Sequence, residues 1–160
     1  MELSEVEAAI DEPRRQSPLF ERTGYRLIKV GELALATAER ALEPLGIKPR
    51  HLNVLATLAA DATLSQQDVS QLLGIDPNVL VGVIDDLERR GLAERRRNPR
   101  DRRRHVIIVT PEGRRLLAEG AARLDAAEVE FFAGVSEADQ AVVRRVTAYL
   151  IDKHPPVIKR

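Results

Sequence analysis

Apolar residues recur along this chain at helical spacing, with one short exception. From about Pro18 to Leu45, the positions Tyr25, Ile28, Leu35, Ala38 and Leu42 mark one face of a long helix, and Pro44 and Gly46 end it. Pro49 to Ala60 predicts a second helix, with Leu52, Leu55 and Leu58 facing inward. Ser65, followed three residues later by Asp68, is a variant capping box that opens a helix over Gln66 to Leu73, and Gly74 stops it. Asp76-Pro77 then starts a helix over Asp76 to Arg90, in which Leu80, Val83, Ile84 and Leu87 form an i, i+3, i+4, i+7 stripe. Two short helices joined by a turn of about three residues outline a helix-turn-helix.

The exception follows. Leu92 to Arg96 and His105 to Thr110 read as two strands, the second rich in β-branched residues, and the polar stretch between them carries Asn98-Pro99 turn chemistry. Thr110-Pro111-Glu112-Gly113 caps a further helix through Leu116, Leu117 and Leu124 toward Phe131 and Phe132. Ser136 to Asp139 opens the last helix, whose apolar face is Val142, Val143, Val146, Leu150 and Ile151, and Pro155-Pro156 ends regular structure. The expected fold is mostly α with a small β-wing. It comprises an arm (1–17), a long N-terminal helix (18–48), a winged helix-turn-helix lobe (49–113) and C-terminal helices (114–160).

Charge changes the picture more than composition does. Aromatic residues are 3% of the chain, so the core is expected to be aliphatic. Formal net charge is zero, yet Arg89 to Arg104 holds nine arginines against Glu94 and Asp101, a local +7 that leaves −7 for the remainder. A balanced protein that concentrates its positive charge in one hairpin has the electrostatic footprint of a nucleic-acid binder. The run contains no lysine, and arginine's planar fork suits phosphates and narrow grooves.

Other chemistry is scarce. The chain has no cysteine, which removes disulfides and thiolate sites. His51, His105 and His154 are far apart in sequence and show neither metal-ligand spacing nor a nearby nucleophile pattern. No enzyme activity, metal or cofactor is therefore expected. The opening residues are acidic and lack the apolar core of a signal peptide, and no apolar run reaches membrane-spanning length, so a cytoplasmic protein without membrane contact is the expectation.

The stretch LGIDPNVLVGVIDDLERRGLAERRRNPRDRRRHVIIVTPEG, Leu73 to Gly113, resembles the MarR family of bacterial transcription regulators. Asp101-Arg102-Arg103 matches that family's Asp-x-Arg wing signature, and Val109-Thr110-Pro111-Glu112-Gly113 follows at the family's distance. Leu45 to Arg50 is similar to the family's lead into its second helix. The resemblance implies a homodimer entwined through its terminal helices, bound to a palindromic double-stranded DNA operator and usually acting as a repressor. Wing residues Arg97, Arg100, Arg102, Arg103 and Arg104 are candidate DNA contacts; Arg102 or Arg103 is placed to enter the minor groove, a role the resemblance assigns first to Arg103. Asp101, which phosphate would repel, is expected to pair with an arginine and shape the tip. Arg95, Arg96, Arg97, Arg100 and Arg104 are expected to divide between phosphate contact and solvation of the strands.

With the core stripe committed, Asn78, Val79, Val81 and Gly82 are the candidate base-facing positions, Asp85 lies near the same face, and the first-turn amides are expected to point at a phosphate. The resemblance further implies a small aromatic or anionic effector bound between the dimer region and the DNA lobe, with Arg22, Tyr25, Arg26, Lys29 and His51 as candidates. The alternative is a winged-helix protein-interaction module without operator binding. The concentration of arginine weighs against it.

Overall fold

The computed structural model describes residues 18–97 and 105–154. The arm 1–17, the wing-tip residues Arg100, Asp101, Arg102, Arg103 and Arg104, and Pro155-Pro156 lie outside them. The elements are α1 (Thr23–Leu42), α2 (Pro49–Ala60), α3 (Gln66–Leu73), α4 (Pro77–Arg89), β1 (Ala93–Arg97), β2 (His105–Val109), α5 (Pro111–Phe131) and α6 (Glu137–Lys153). The long first helix expected over 18–45 is trimmed at both ends to 3-10 turns, Pro18–Glu21 and Glu43–Leu45. Arg22 is extended (φ −90°, ψ 122°), which separates the first turn from α1. Pro44 sits in the second, and Gly46 ends it at φ 64°, a left-handed conformation that costs glycine little.

The capping signals set the lobe's boundaries. Ser65 N–H and Oγ–H both donate to Asp68 Oδ2 (2.8 and 2.6 Å), while Asp68 N–H donates back to Ser65 Oγ. Buried Ser70 donates its hydroxyl to Ile75 O at 2.7 Å, which spans the turn between α3 and α4. Behind this turn, Val54, Leu55, Leu58, Val69, Leu80, Ile84, Leu87 and Ile107 form one almost fully excluded aliphatic core. Leu80, Val83, Ile84 and Leu87 are the stripe expected from the spacing, and all four are buried.

The strands pair antiparallel, with Ala93 opposite Val109, Arg95 opposite Ile107 and Arg97 opposite His105. Their base is stitched to α5. Thr110 N–H donates to Leu92 O (3.1 Å) and Thr110 Oγ–H to Gly91 O (2.7 Å). Gly113 N–H in turn donates to Thr110 Oγ1 at 3.0 Å.

A second cluster joins the lobe to the terminal helices. Leu42, Ile47 and Leu52 pack with Leu116, Leu117 and Leu124. Arg90, just past the end of α4, reinforces this joint by donating to Gly46 O and Leu45 O, both at 2.8 Å. The turn that ends the first helix is thereby bonded to the end of the helix-turn-helix.

The terminal helices leave much apolar surface uncovered. Leu27, Ile28, Val30, Leu33 and Leu35 on α1, and Val142, Val143, Val146, Tyr149 and Ile151 on α6, are all exposed. No residue of α6 is buried.

Candidate nucleic-acid interface

The exposed face of α4 carries the four positions that the core stripe leaves over. Asn78, Val79, Val81 and Gly82 are all solvent-exposed, Val79 at 46% and Val81 at 38%. Two small apolar side chains, an amide and a bare backbone make a shallow surface that can approach base edges and thymine methyls closely.

The amides at the start of α4 are already used. Asp76 Oδ1 accepts from Asn78 N–H at 2.8 Å and from Val79 N–H at 3.4 Å. This overturns the expectation that they point at a phosphate, because a carboxylate occupies the donors and repels a second anion.

The arginine run divides in two. Arg95 pairs with Asp85 (2.7 Å) and with Glu88, both on α4, and its backbone N–H donates to Glu88 Oε1 at 2.8 Å. Arg96 pairs with Glu94, Arg89 with Asp86 (2.8 Å), and Arg90 holds the backbone turn. Arg95 is therefore a strut between the wing and α4 rather than a free phosphate contact, and Asp85 is withdrawn from the readout surface by the same bond. Arg97 is the last described residue of β1, and Arg100, Arg102, Arg103 and Arg104 fall in the segment between the strands. Of the nine arginines in the run, Arg89, Arg90, Arg95 and Arg96 have partners within the fold.

The five effector candidates separate. Tyr25 packs edge-on against Phe20, with ring centroids 5.1 Å apart, and Lys29 Nζ stands 5.6 Å from the Tyr25 ring. Arg26 Nε donates to Phe20 O (2.5 Å), which completes a cluster at the start of α1, with exposed Arg22 alongside at the helix N-cap. His51 belongs to another group. It lines a groove of about 480 Å³ with Lys48, Arg50, Val79, Gly82, Asp86 and Arg89. A different cleft, of about 640 Å³, runs between α1 and the start of α2, where Leu33, Ala36, Thr37, Arg40, Ile47 and Lys48 line it. Hydrophobic spacing gave no signal for either space.

His51 Nδ1 accepts from Lys48 N–H at 3.1 Å, which leaves the imidazole hydrogen on Nε2, 3.5 Å from Asp86 Oδ2. Burial holds its pKa below the ordinary 6.5. Asp86 opposes that shift, and the positive charges of Arg50 and Arg90 add to it. The unfolded chain thus takes up this proton more readily than the folded one. The stability contributed by neutral His51 is present above pH 6.5 and is lost as pH falls through the lower folded value. Across that interval the melting temperature of the wild type is expected to drop more than that of His51→Gln. Parallel melting curves at every pH would remove His51 from the acid response.

A family profile described as MarR family matches residues 45–104, the span from the end of the first helix through the wing. The fold extends the likeness to nearly the whole chain. A transcriptional regulator (MarR family) from Rhodococcus sp. RHA1 is 34% identical and superposes with a TM-score of 0.74 over 89% of this chain and 99% of that one. The chain belongs to the MarR family.

Other relatives of this MarR-family regulator have been seen with ligands. CouR from Rhodococcus jostii RHA1, bound to p-coumaroyl-CoA, is 35% identical with a TM-score of 0.75, covering 91% of this chain and 99% of that one. A transcriptional repressor, also named CouR, bound to a 23-mer DNA duplex is 26% identical with a TM-score of 0.79, covering 85% and 96%. A curated relative, the putative regulatory protein for the hcr operon of Thauera aromatica, is 30% identical over 98 residues, and the match spans 59% of its length. Among the described residues no group of three or more His, Cys, Asp or Glu could hold a metal, and no helix is long and apolar enough to cross a membrane.

Proposed function

We propose that this MarR-family chain is a homodimeric, sequence-specific DNA-binding regulator that acts in the cytoplasm, represses from a palindromic operator and is released by a small aromatic or anionic effector. The observation that carries the reading is an exposed, shallow α4 face beside a hairpin whose sequence concentrates arginine between its two strands. α4 occupies the major groove, where Asn78, Val79, Val81 and Gly82 meet base edges, and the wing reaches the adjacent minor groove.

Residues 18–48 and 114–160 form the dimerisation region, and 49–113 the DNA lobe. The exposed apolar faces of α1 and α6 support the dimer, since a single chain would leave that surface to water. Two-fold symmetry then sets two α4 helices about 34–36 Å apart, one turn of DNA. The relative crystallised on a duplex supports the DNA partner, and the relative holding an aromatic acyl-CoA supports the effector class. Arg22, Tyr25, Arg26, Lys29 and His51 stay as candidates for its anionic or aromatic end. No catalytic role is assigned.

Selection of duplexes from a random pool tests the reading. The expected product is a palindrome bound by two chains, with affinity falling steeply as salt rises, by ~0.9 log units per log unit for each phosphate neutralised. A pool that yields no site, with binding indifferent to salt, would move the protein to the interaction-module alternative.

A further inference from the structure

The groove between α2 and α4 adjoins the base-reading face, and its far rim, Lys48 and Arg50, belongs to neither that face nor the wing. We infer that it seats a DNA backbone phosphate, held by Lys48 and Arg50, at the edge of the major groove that α4 enters. The inference rests on the DNA-binding reading above.

One wall of the groove is α4 itself, through Val79, Gly82, Val83, Asp86 and Arg89, and the other is the turn and first residues of α2, through Gly46, Lys48, Arg50 and His51. Val79 and Gly82 thus belong both to this wall and to the surface offered to bases. Gly82 leaves the wall open: a Cβ placed there would meet nothing within 4 Å.

The charges along the rim are unequally committed. Arg89 is paired with Asp86 at 2.8 Å, and the same carboxylate lies 3.5 Å from His51 Nε2, so the groove's acid is already engaged. Lys48 and Arg50 are both exposed, and among the described residues no carboxylate lies within 4.0 Å of either. They contrast with Arg89, Arg95 and Arg96, each of which has a carboxylate partner.

Geometry selects the anion. A helix is ~10–12 Å across with its side chains, and the major groove of B-DNA is ~12 Å wide. A helix lying in that groove therefore has a sugar–phosphate strand along each flank, and whatever projects beside the helix meets phosphate. Here the projecting element is the start of α2 with its two uncommitted cations. A free anion would find only exposed side chains there and would be held weakly. A phosphate already anchored through α4 and the wing arrives at high effective concentration and needs only a modest contact.

The test uses the full-length dimer, the selected palindrome and a duplex of random sequence, titrated over a range of salt. A Lys48→Ala, Arg50→Ala double variant is expected to lose about tenfold or more in affinity for both duplexes in similar ratio, because a phosphate contact carries no sequence information. Its salt slope should be shallower by ~1.8, one phosphate per subunit at ~0.9 each. The charge-preserving Lys48→Arg, Arg50→Lys variant should restore both, and thermal melting should match the wild type throughout. Unchanged affinity and slope in the double variant, beside a wild type that binds steeply, would overturn the inference and leave the DNA-binding reading intact. So would calorimetry in which the double variant loses binding to inorganic phosphate while retaining the duplex, which would mark a small-anion site. A wild type that binds neither duplex takes both readings down together.

Discussion

Replacing Gly113 with alanine is expected to destabilise the fold by about 3 kcal/mol, at the upper end of overpacking effects. A Cβ at this position would stand 2.0 Å from Leu92 O, 3.0 Å from Leu92 C and 2.9 Å from Val109 Cγ1. The valine can turn aside, but the carbonyl cannot, because it accepts the Thr110 N–H that closes the base of the wing. Relief requires α5 to move away from the hairpin, which breaks the Thr110 stitch and opens the core beside Ile107 and Val109. A urea titration should show the midpoint falling with little change in slope. If Gly113→Ala melts like the wild type, the first turn of α5 is not pressed against the wing.

Arg103→Ala carries the largest expected effect on function. The last paired rung is Arg97–His105, and the sequence between those strands carries Arg100, Arg102, Arg103 and Arg104. The family's wing signature places Arg103 in the minor groove, where a narrow A·T-rich segment concentrates negative potential. Each wing is expected to contribute about 1–3 kcal/mol, so a dimer that loses both should bind its selected operator about thirtyfold more weakly or worse. Binding to random-sequence DNA should fall less, since groove width is part of what the arginine reads. Arg102→Ala provides the comparison and should affect both duplexes modestly. A larger effect at Arg102 than at Arg103 would transfer the groove-reading role to the neighbour. Wild-type affinity in both variants would mean that the wing does not read DNA.

The fold was legible where a local signal was chemically complete. Ser65 with Asp68, Asp76 with Pro77, and Thr110 each marked a helix start, and each makes its capping bond. The α4 stripe was legible because its spacing and its burial coincide. The site was less legible, for two physical reasons. Asp76 cannot both cap α4 and leave the same amides open to phosphate; the donors serve only one acceptor set, and the residue already in place prevails. Arg95 could not be sorted from its neighbours because its partners, Asp85 and Glu88, precede it on α4 and come within reach only when β1 folds back along that helix. A count of charges along the chain cannot distinguish a strut from a free cation. The groove beside α4 was hidden for the same reason, being built from segments that are not adjacent in sequence.

Arg90 bonds to main-chain carbonyls at Leu45 and Gly46 and not to side chains. The joint between the dimerising helices and the reading head therefore places its chemical demand on one side only. Substitution at Leu45 would leave the acceptors in place, whereas position 90 supplies a planar fork that aims one nitrogen at each oxygen, a geometry that lysine's single nitrogen does not reproduce. Reading heads from related regulators should be exchangeable at this seam wherever that arginine is kept, each head inheriting the orientation dictated by the host's first helix. The module boundary that matters for building chimeras thus combines the apolar packing of Leu42, Ile47 and Leu52 with one guanidinium that lies about forty residues along the chain from the turn it grips.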